Sequence, residues 1–227
     1  LTLDAWVERM KEEVKTCPVT MFRSQLRHFL PGDHCEAADK LPKMMPAAEF
    51  RKTEGGQCMK AYNGLVELTV GPLAGRAEVE QVKREAWKLP QTRCAFMGAS
   101  GHSVKILVAF TRPDNTLPLT RAEAEAFHAH AYIMAVKCYQ PQLSFDIRPK
   151  EPFLEQYSRL SYDPDVLYRP DSVQFYLSQP MGMPDEMALH TEPAVSGQRP
   201  LERALGSYET ADALSMLFEA ALRQAYI

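Results

Sequence analysis

Gly64-Leu-Val-Glu-Leu-Thr-Val70 is the stretch on which the fold turns. Side chains alternate across a strand, so Val66, Leu68 and Val70 face one way and Glu67 and Thr69 the other. Two further segments repeat this pattern. In Ser103-Val-Lys-Ile-Leu-Val-Ala-Phe110, Val104, Ile106, Val108 and Phe110 oppose Ser103 and Lys105. In Gln142-Leu-Ser-Phe-Asp-Ile147, Leu143, Phe145 and Ile147 oppose Ser144 and Asp146. Three strands with one aliphatic and one polar face describe a sheet covered by helices on one side. The other face is then open, with room for a phosphate or a metal.

Outward from these strands, the rest of the chain falls into elements. Leu3, Trp6, Val7, Met10 and Val14 recur at helical spacing, giving an opening helix that Pro18 stops. Val19-Thr-Met-Phe-Arg23 reads as a short strand, and residues 31 to 63 as irregular chain ending in the turn signals Gly55-Gly56 and Asn63-Gly64. A helix from about 76 to 88 carries Val79, Val82, Ala86 and Trp87 on its apolar stripe and ends at Pro90. The short strand Arg93-Cys-Ala-Phe-Met97 and the turn Gly98-Ala-Ser-Gly101 follow. An alanine-rich helix from about 120 to 139 precedes the Asp146 strand. The order β-α-β-β-α-β, with a helix pair over one sheet face, is the split βαβ arrangement, an α+β, RRM-like core with a mainly antiparallel sheet. Residues 179–200, rich in Pro, Gly, Met and Ser, read as a linker. Leu214, Leu217, Phe218, Ala221, Leu222 and Ala225 read as an amphipathic C-terminal helix. The expected division is a domain over 1–178, the linker, and an appendage or the start of a further domain over 201–227.

Composition sets outer limits. With 227 residues, 45% hydrophobic and 24% charged, the chain can bury a sizeable core. A formal net charge of −3 argues against a strongly basic nucleic-acid clamp, so any phosphate binding has to be local. No apolar run approaches the roughly 20 residues of a membrane span, and no signal-peptide pattern is visible. The five cysteines, Cys17, Cys35, Cys58, Cys94 and Cys138, lack C-x-x-C spacing. An odd, dispersed count suits reduced thiols in a cytoplasmic protein with no membrane partner.

Lys40-Leu-Pro-Lys43, Ala48-Glu-Phe50, Tyr62-Asn-Gly-Leu-Val66, Leu89-Pro90, Ala99-Ser-Gly-His-Ser-Val-Lys-Ile106 and Arg159-Leu-Ser-Tyr-Asp-Pro-Asp165 occur in that order. This series resembles the VirE N-terminal-domain family, whose members open primase- and helicase-like proteins of bacterial mobile genetic elements. The resemblance covers roughly residues 1 to 178. It implies the fold of archaeo-eukaryotic primase-polymerases, a role in DNA replication, and template-directed nucleotidyl transfer using carboxylates with Mg²⁺ or Mn²⁺. Two such ions clamp the attacking and leaving oxygens of an in-line displacement.

The same resemblance identifies site residues and a deficit among them. Its first motif places two aspartates two residues apart, and those positions are Thr69 and Gly71, neither of which supplies a carboxylate. Glu67 lies one step earlier on the same face, where it either substitutes in part or is a solvated charge on a half-exposed strand. The second motif corresponds to Ser100, Gly101 and Lys105, with Ser103 where the family has a second glycine. A Ser-Gly turn exposes backbone N–H groups to phosphate and the lysine adds a point charge, or the segment is a plain turn with an exposed lysine. Asp146 matches the third-motif acid, which with Glu67 would hold metal weakly or with Lys105 would form an ion pair. Arg159, with Asp163-Pro-Asp165, is a nucleotide contact or a positioning pair beside a turn.

Other residues offer less. His128 and His130 stand two apart on a helix and point to different faces, so they cannot form an i, i+4 metal pair. His34-Cys35 lacks partners, Met44-Met45 and Met181/Met183 read as gap-filling residues, and no Walker A or Rossmann signature occurs. The sequence leads to a primase-polymerase-like domain that is catalytically degenerate and binds nucleotide or single-stranded DNA. The alternatives are an active metal-dependent primase-polymerase using Glu67 and Asp146, or a non-enzymatic adaptor for a helicase-like partner.

Overall fold

The structure, a computed structural model, describes residues 2–12, 18–26, 35–54 and 56–177. Helix α1 (Leu3–Lys11) starts on Thr2, whose Oγ1 accepts from the Ala5 N–H at 3.3 Å. It buries Trp6, Val7 and Met10 as their spacing requires; Val14 lies outside the described residues. Helix α2 (Pro18–Leu26) replaces the strand expected over Val19–Arg23. Proline is tolerated in a first helical turn, where its missing N–H leaves no bond unmade. Val19 and Phe22, three apart, are the buried pair, a helical period that a five-residue window did not separate from alternation.

Helix α3 (Glu36–Asp39) and the short strand β1 (Lys43–Met44) lead into a hairpin, β2 (Ala48–Thr53) and β3 (Gly56–Tyr62). The region 31–63 is therefore largely structured over its described residues. The hairpin is exposed along most of its length, so it carries no apolar alternation for a sequence pattern to reveal. Its end is set by Gly64, whose φ of +67° suits glycine, and a Cβ there would run into the Phe110 carbonyl oxygen.

The central sheet follows expectation closely. Strand β4 (Leu65–Val70), helix α4 (Arg76–Trp87), strands β5 (Thr92–Met97) and β6 (Val104–Thr111), and helix α5 (Arg121–Tyr139) succeed one another. Thr120 caps α5 by accepting from the Glu123 N–H at 3.3 Å. Strand β6 lies between β4 and β5, antiparallel to both, as the split βαβ order requires. Beyond it β7 (Ser158–Arg159) pairs with β1, β8 (Leu167–Tyr168) with β5, and the two-residue β9 (Phe175–Tyr176) runs parallel to β6. The architecture is mixed α+β with antiparallel sheets and five α-helices among the described residues.

Two expectations about this sheet are corrected. Gln142–Ile147 is not a strand: Gln140–Gln142 form a 3₁₀ turn containing Pro141, and a single bridge joins Ile147 to Val70. Leu143 and Ile147 are still buried as the alternation demanded, so the segment packs beside β4 without building a ladder. Nor is the polar face open along its whole extent. Val66, Leu68, Val70, Val104, Ile106, Val108 and Phe110 pack under α4 and α5, but Cys94, Phe96 and Leu107 on the reverse face pack with Trp6, Met10, Val19 and Phe22. Leu107 shares a face with Lys105, and that was the sequence signal for a second covering layer. The linker over 179–200 and the C-terminal helix fall outside the described residues. No helix among the described residues is long and apolar enough to cross a membrane.

Candidate functional site

Glu67, singled out by the sequence, lies on the floor of a cleft whose lining includes Lys105, Lys150 and Glu155. It lies mid-strand in β4 and is only 7% exposed, so its charge must be compensated within the protein. Lys105, across the β4–β6 ladder from Thr69, donates to Glu67 Oε1 at 2.9 Å and to Thr69 Oγ1 at 2.8 Å. Lys150, on the chain that runs back along β4 after Ile147, donates to the same Oε1 at 3.1 Å. Ser158 in β7 donates its hydroxyl to Oε2. Burial alone would push the Glu67 carboxyl up, but the charges of Lys150 and Lys105 and the Ser158 hydrogen bond outweigh it and hold it at about 2. Burial pushes the Lys150 ammonium down; Glu67 opposes that and neighbouring Lys105 adds to it.

Above this cluster opens a cleft of about 510 Å³ lined by Glu67, Lys105, Lys150, Phe153, Glu155, Gln156 and Tyr157. Phe153 is 57% exposed and Tyr157 44%, so the rim offers two aromatic rings to solvent. The Lys43 ammonium sits 4.6 Å and the Arg159 guanidinium 5.5 Å from the Tyr157 ring centroid. Glu155 is engaged by Arg121. Behind the cleft, buried His128 places Nδ1 3.1 Å from the Tyr62 hydroxyl. Burial, with the Lys150 charge, lowers its pKa to about 4, so the imidazole is neutral near pH 7.

The other residues named from the sequence are dispersed. Asp146 is exposed and accepts from Gln140 Nε2 at 3.4 Å, while its carbonyl oxygen accepts from Gly71 N–H at 3.3 Å. It therefore stands opposite Gly71, four residues along the strand from Glu67, or roughly 13 Å at about 3.3 Å per residue. Gly71 itself has φ +134°, and a Cβ there would meet the His102 carbonyl oxygen at 2.9 Å, so this position excludes an aspartate sterically. In the Ser100–Gly101 turn, the Gly101 N–H donates to Gly98 O at 2.9 Å and the His102 N–H to Ser100 Oγ at 3.3 Å. Arg23 Nε donates to Ala99 O at 3.0 Å from outside the turn. Those two N–H groups are spent internally, and the Lys105 ammonium points away toward Glu67. Arg159 donates to the Ala38 carbonyl at 2.9 Å and to Asp39 Oδ1 at 3.2 Å, so it fastens α3 and does not pair with Asp163 or Asp165.

Asp163 has a different role that the sequence did not reveal. Its carboxylate is 1% exposed and accepts from Lys83 Nζ at 3.0 and 3.1 Å and from the Met97 N–H at 2.8 Å. Lys83, on α4, is wholly buried. Lys83 stands four residues after Val79 and three before Ala86, on the apolar stripe of α4, and that spacing was the sequence signal of its burial. Glu80 and Asp165 approach Asp163 closely enough to form the sole group of three metal-ligating side chains found among the described residues. The Lys83 ammonium, 3.2 Å from Glu80 Oε1, already supplies positive charge there.

A divalent metal pair was the chemistry implied by the motif resemblance, and the donor set around Glu67 does not fit one. Thr69 and Gly71 hold no charge, both Glu67 oxygens are engaged, and Asp146 faces another part of the strand.

Fold and site together define an α+β domain in which one cleft-floor carboxylate is neutralised by two lysines. Residues 36–168 match the family described as BT4734-like, N-terminal domain. That span is more than half of the chain, which belongs to this family. No curated protein and no solved structure matches it.

Proposed function

We propose that this domain is a catalytically degenerate relative of the primase-polymerases, of the VirE N-terminal type, and binds a nucleotide or single-stranded nucleic acid in mobile-element DNA replication. The family match over residues 36–168 spans the same motifs, from Lys40 to Asp165, that carry the VirE resemblance. The observation that carries the reading is the state of Glu67: its carboxylate is committed to Lys105, Lys150 and Ser158 beside positions where Thr69 and Gly71 stand in place of acids. What remains is a pair of lysine ammoniums beneath two exposed aromatic rings. Lysine ammonium groups recognise phosphate as point charges, and bases stack on aromatic side chains regardless of sequence.

Titration of fluorescently labelled nucleotide and of a labelled single-stranded oligonucleotide tests this. Binding should weaken as salt rises and fall on Lys105→Ala. Primer extension with Mg²⁺ or Mn²⁺ should yield no product. Binding that ignores both salt and Lys105→Ala would overturn the reading in favour of an adaptor without nucleotide. Extension abolished by Asp146→Ala would overturn it in favour of an active polymerase.

A further inference from the structure

We propose that the cleft floor is an oxyanion site that works without a divalent metal, with Lys105 and Lys150 jointly supplying the charge for a nucleotide's phosphate. This rests on the nucleotide-binding reading and specifies how it is achieved. Both ammonium groups converge on a single oxygen, Glu67 Oε1, at 2.9 and 3.1 Å, and both line the cleft. An ammonium has three donors. Lys105 spends two, on Glu67 and Thr69, and Lys150 spends one, on Glu67. Donors therefore remain on both lysines around one point, which is the arrangement that bridges two oxygens of a phosphate.

Charge points the same way. Two ammoniums face one carboxylate; Glu155, the other acid of the lining, shares Arg121 with Glu125, and Lys43 adds a positive charge at the Tyr157 rim. A cation entering the floor would meet two positive groups and a carboxylate whose oxygens are taken, the second by Ser158. An anion meets two ammoniums gathered about one carboxylate oxygen in a partly desolvated recess, where electrostatic interactions are strengthened. The lysines thus stand in the role that metal ions take in the reaction implied by the fold's relatives. Lys150 is the residue this adds; no sequence motif marks it.

Fluorescently labelled adenosine triphosphate, titrated into the protein with EDTA and again with Mg²⁺, tests the proposal. Affinity in EDTA should equal or exceed that in Mg²⁺, which neutralises part of the ATP charge, and Lys150→Ala should weaken both by about tenfold, the size of one charge-assisted hydrogen bond. Glu67→Gln leaves both ammoniums without a counter-charge and should tighten binding. Binding that requires Mg²⁺, binding unchanged by Lys150→Ala, or loss of binding in a folded Glu67→Gln protein would each overturn the proposal and leave nucleotide binding standing. Absence of binding in both buffers would remove the nucleotide reading itself, and this inference with it. Should Glu67→Gln not fold, the buffer comparison and Lys150→Ala decide between these outcomes.

Discussion

Two buried carboxylates, Glu67 and Asp163, answer the same physical problem in opposite ways. Asp163 meets one lysine, Lys83, and the remainder of its hydrogen-bonding capacity goes to backbone N–H groups of Met97 and Asp165. Both partners are sealed from solvent, Lys83 reaches Glu80 as well at 3.2 Å, and the pair joins α4, β5 and the chain after β7. Glu67 instead meets two lysines that reach into a cleft, and the surplus charge faces outward. A sealed pair serves the fold; a pair left at a cleft with its lysines in excess is available to a ligand. The difference between the two ion-pair clusters lies in exposure and in which sign is in excess, not in residue type.

Breaking each cluster should separate these roles. The largest effect is expected at the sealed pair. Asp163→Ala leaves the Lys83 ammonium without its main partner and should cost about 3–5 kcal/mol in urea unfolding, typical of one half of a buried pair removed. A midpoint unchanged by this substitution would refute the structural assignment. Next comes Gly71→Asp, which restores an acid to the motif position. Its positive φ and the nearby His102 carbonyl should cost about 1–3 kcal/mol, and extension assays with Mn²⁺ should stay blank.

The pH response sharpens the comparison at Glu67. Its folded pKa, about 2, lies below the ordinary carboxylate value of 4.5. A depressed folded pKa contributes stability that is present above the unfolded value and lost as pH falls toward the folded one. The stability gap between the wild-type protein and Glu67→Gln should therefore be widest above about pH 5 and close between pH 4.5 and 2. Thermal unfolding across that range measures it, and a constant gap would contradict the charge assignment.

Sequence patterns were a good guide wherever burial on one side enforced a period. Strands β4, β5 and β6 and helices α4 and α5 were legible because Val66, Leu68, Ile106, Val79 and Phe127 must all point to one core. The β2–β3 hairpin was not, because solvent on most sides imposes no alternation. The covering of the polar face was written in Leu107 and Phe96, whose apolar side chains would not be left on an open floor. At the site, Glu67 and Lys105 were legible as same-face strand residues. Lys150 was not, since its position depends on irregular chain held by the Arg148 N–H to Thr69 O bond at 2.7 Å. The burial of Lys83 was legible from its place among Val79, Val82 and Ala86 on one face of α4, but its partner Asp163, 80 residues away, was not.

Lys150 and Ser158 bind different oxygens of one carboxylate, so the chain between them is a loop closed through Glu67. Closing a loop limits the conformations of what it encloses, and this one encloses Phe153 and Tyr157. A phosphate that drew Lys150 from Glu67 would release one end of the loop while Ser158 held the other. The aromatic wall would then gain freedom to fit the ligand's ring, so occupancy of the floor and adjustment of the rim would be mechanically one event.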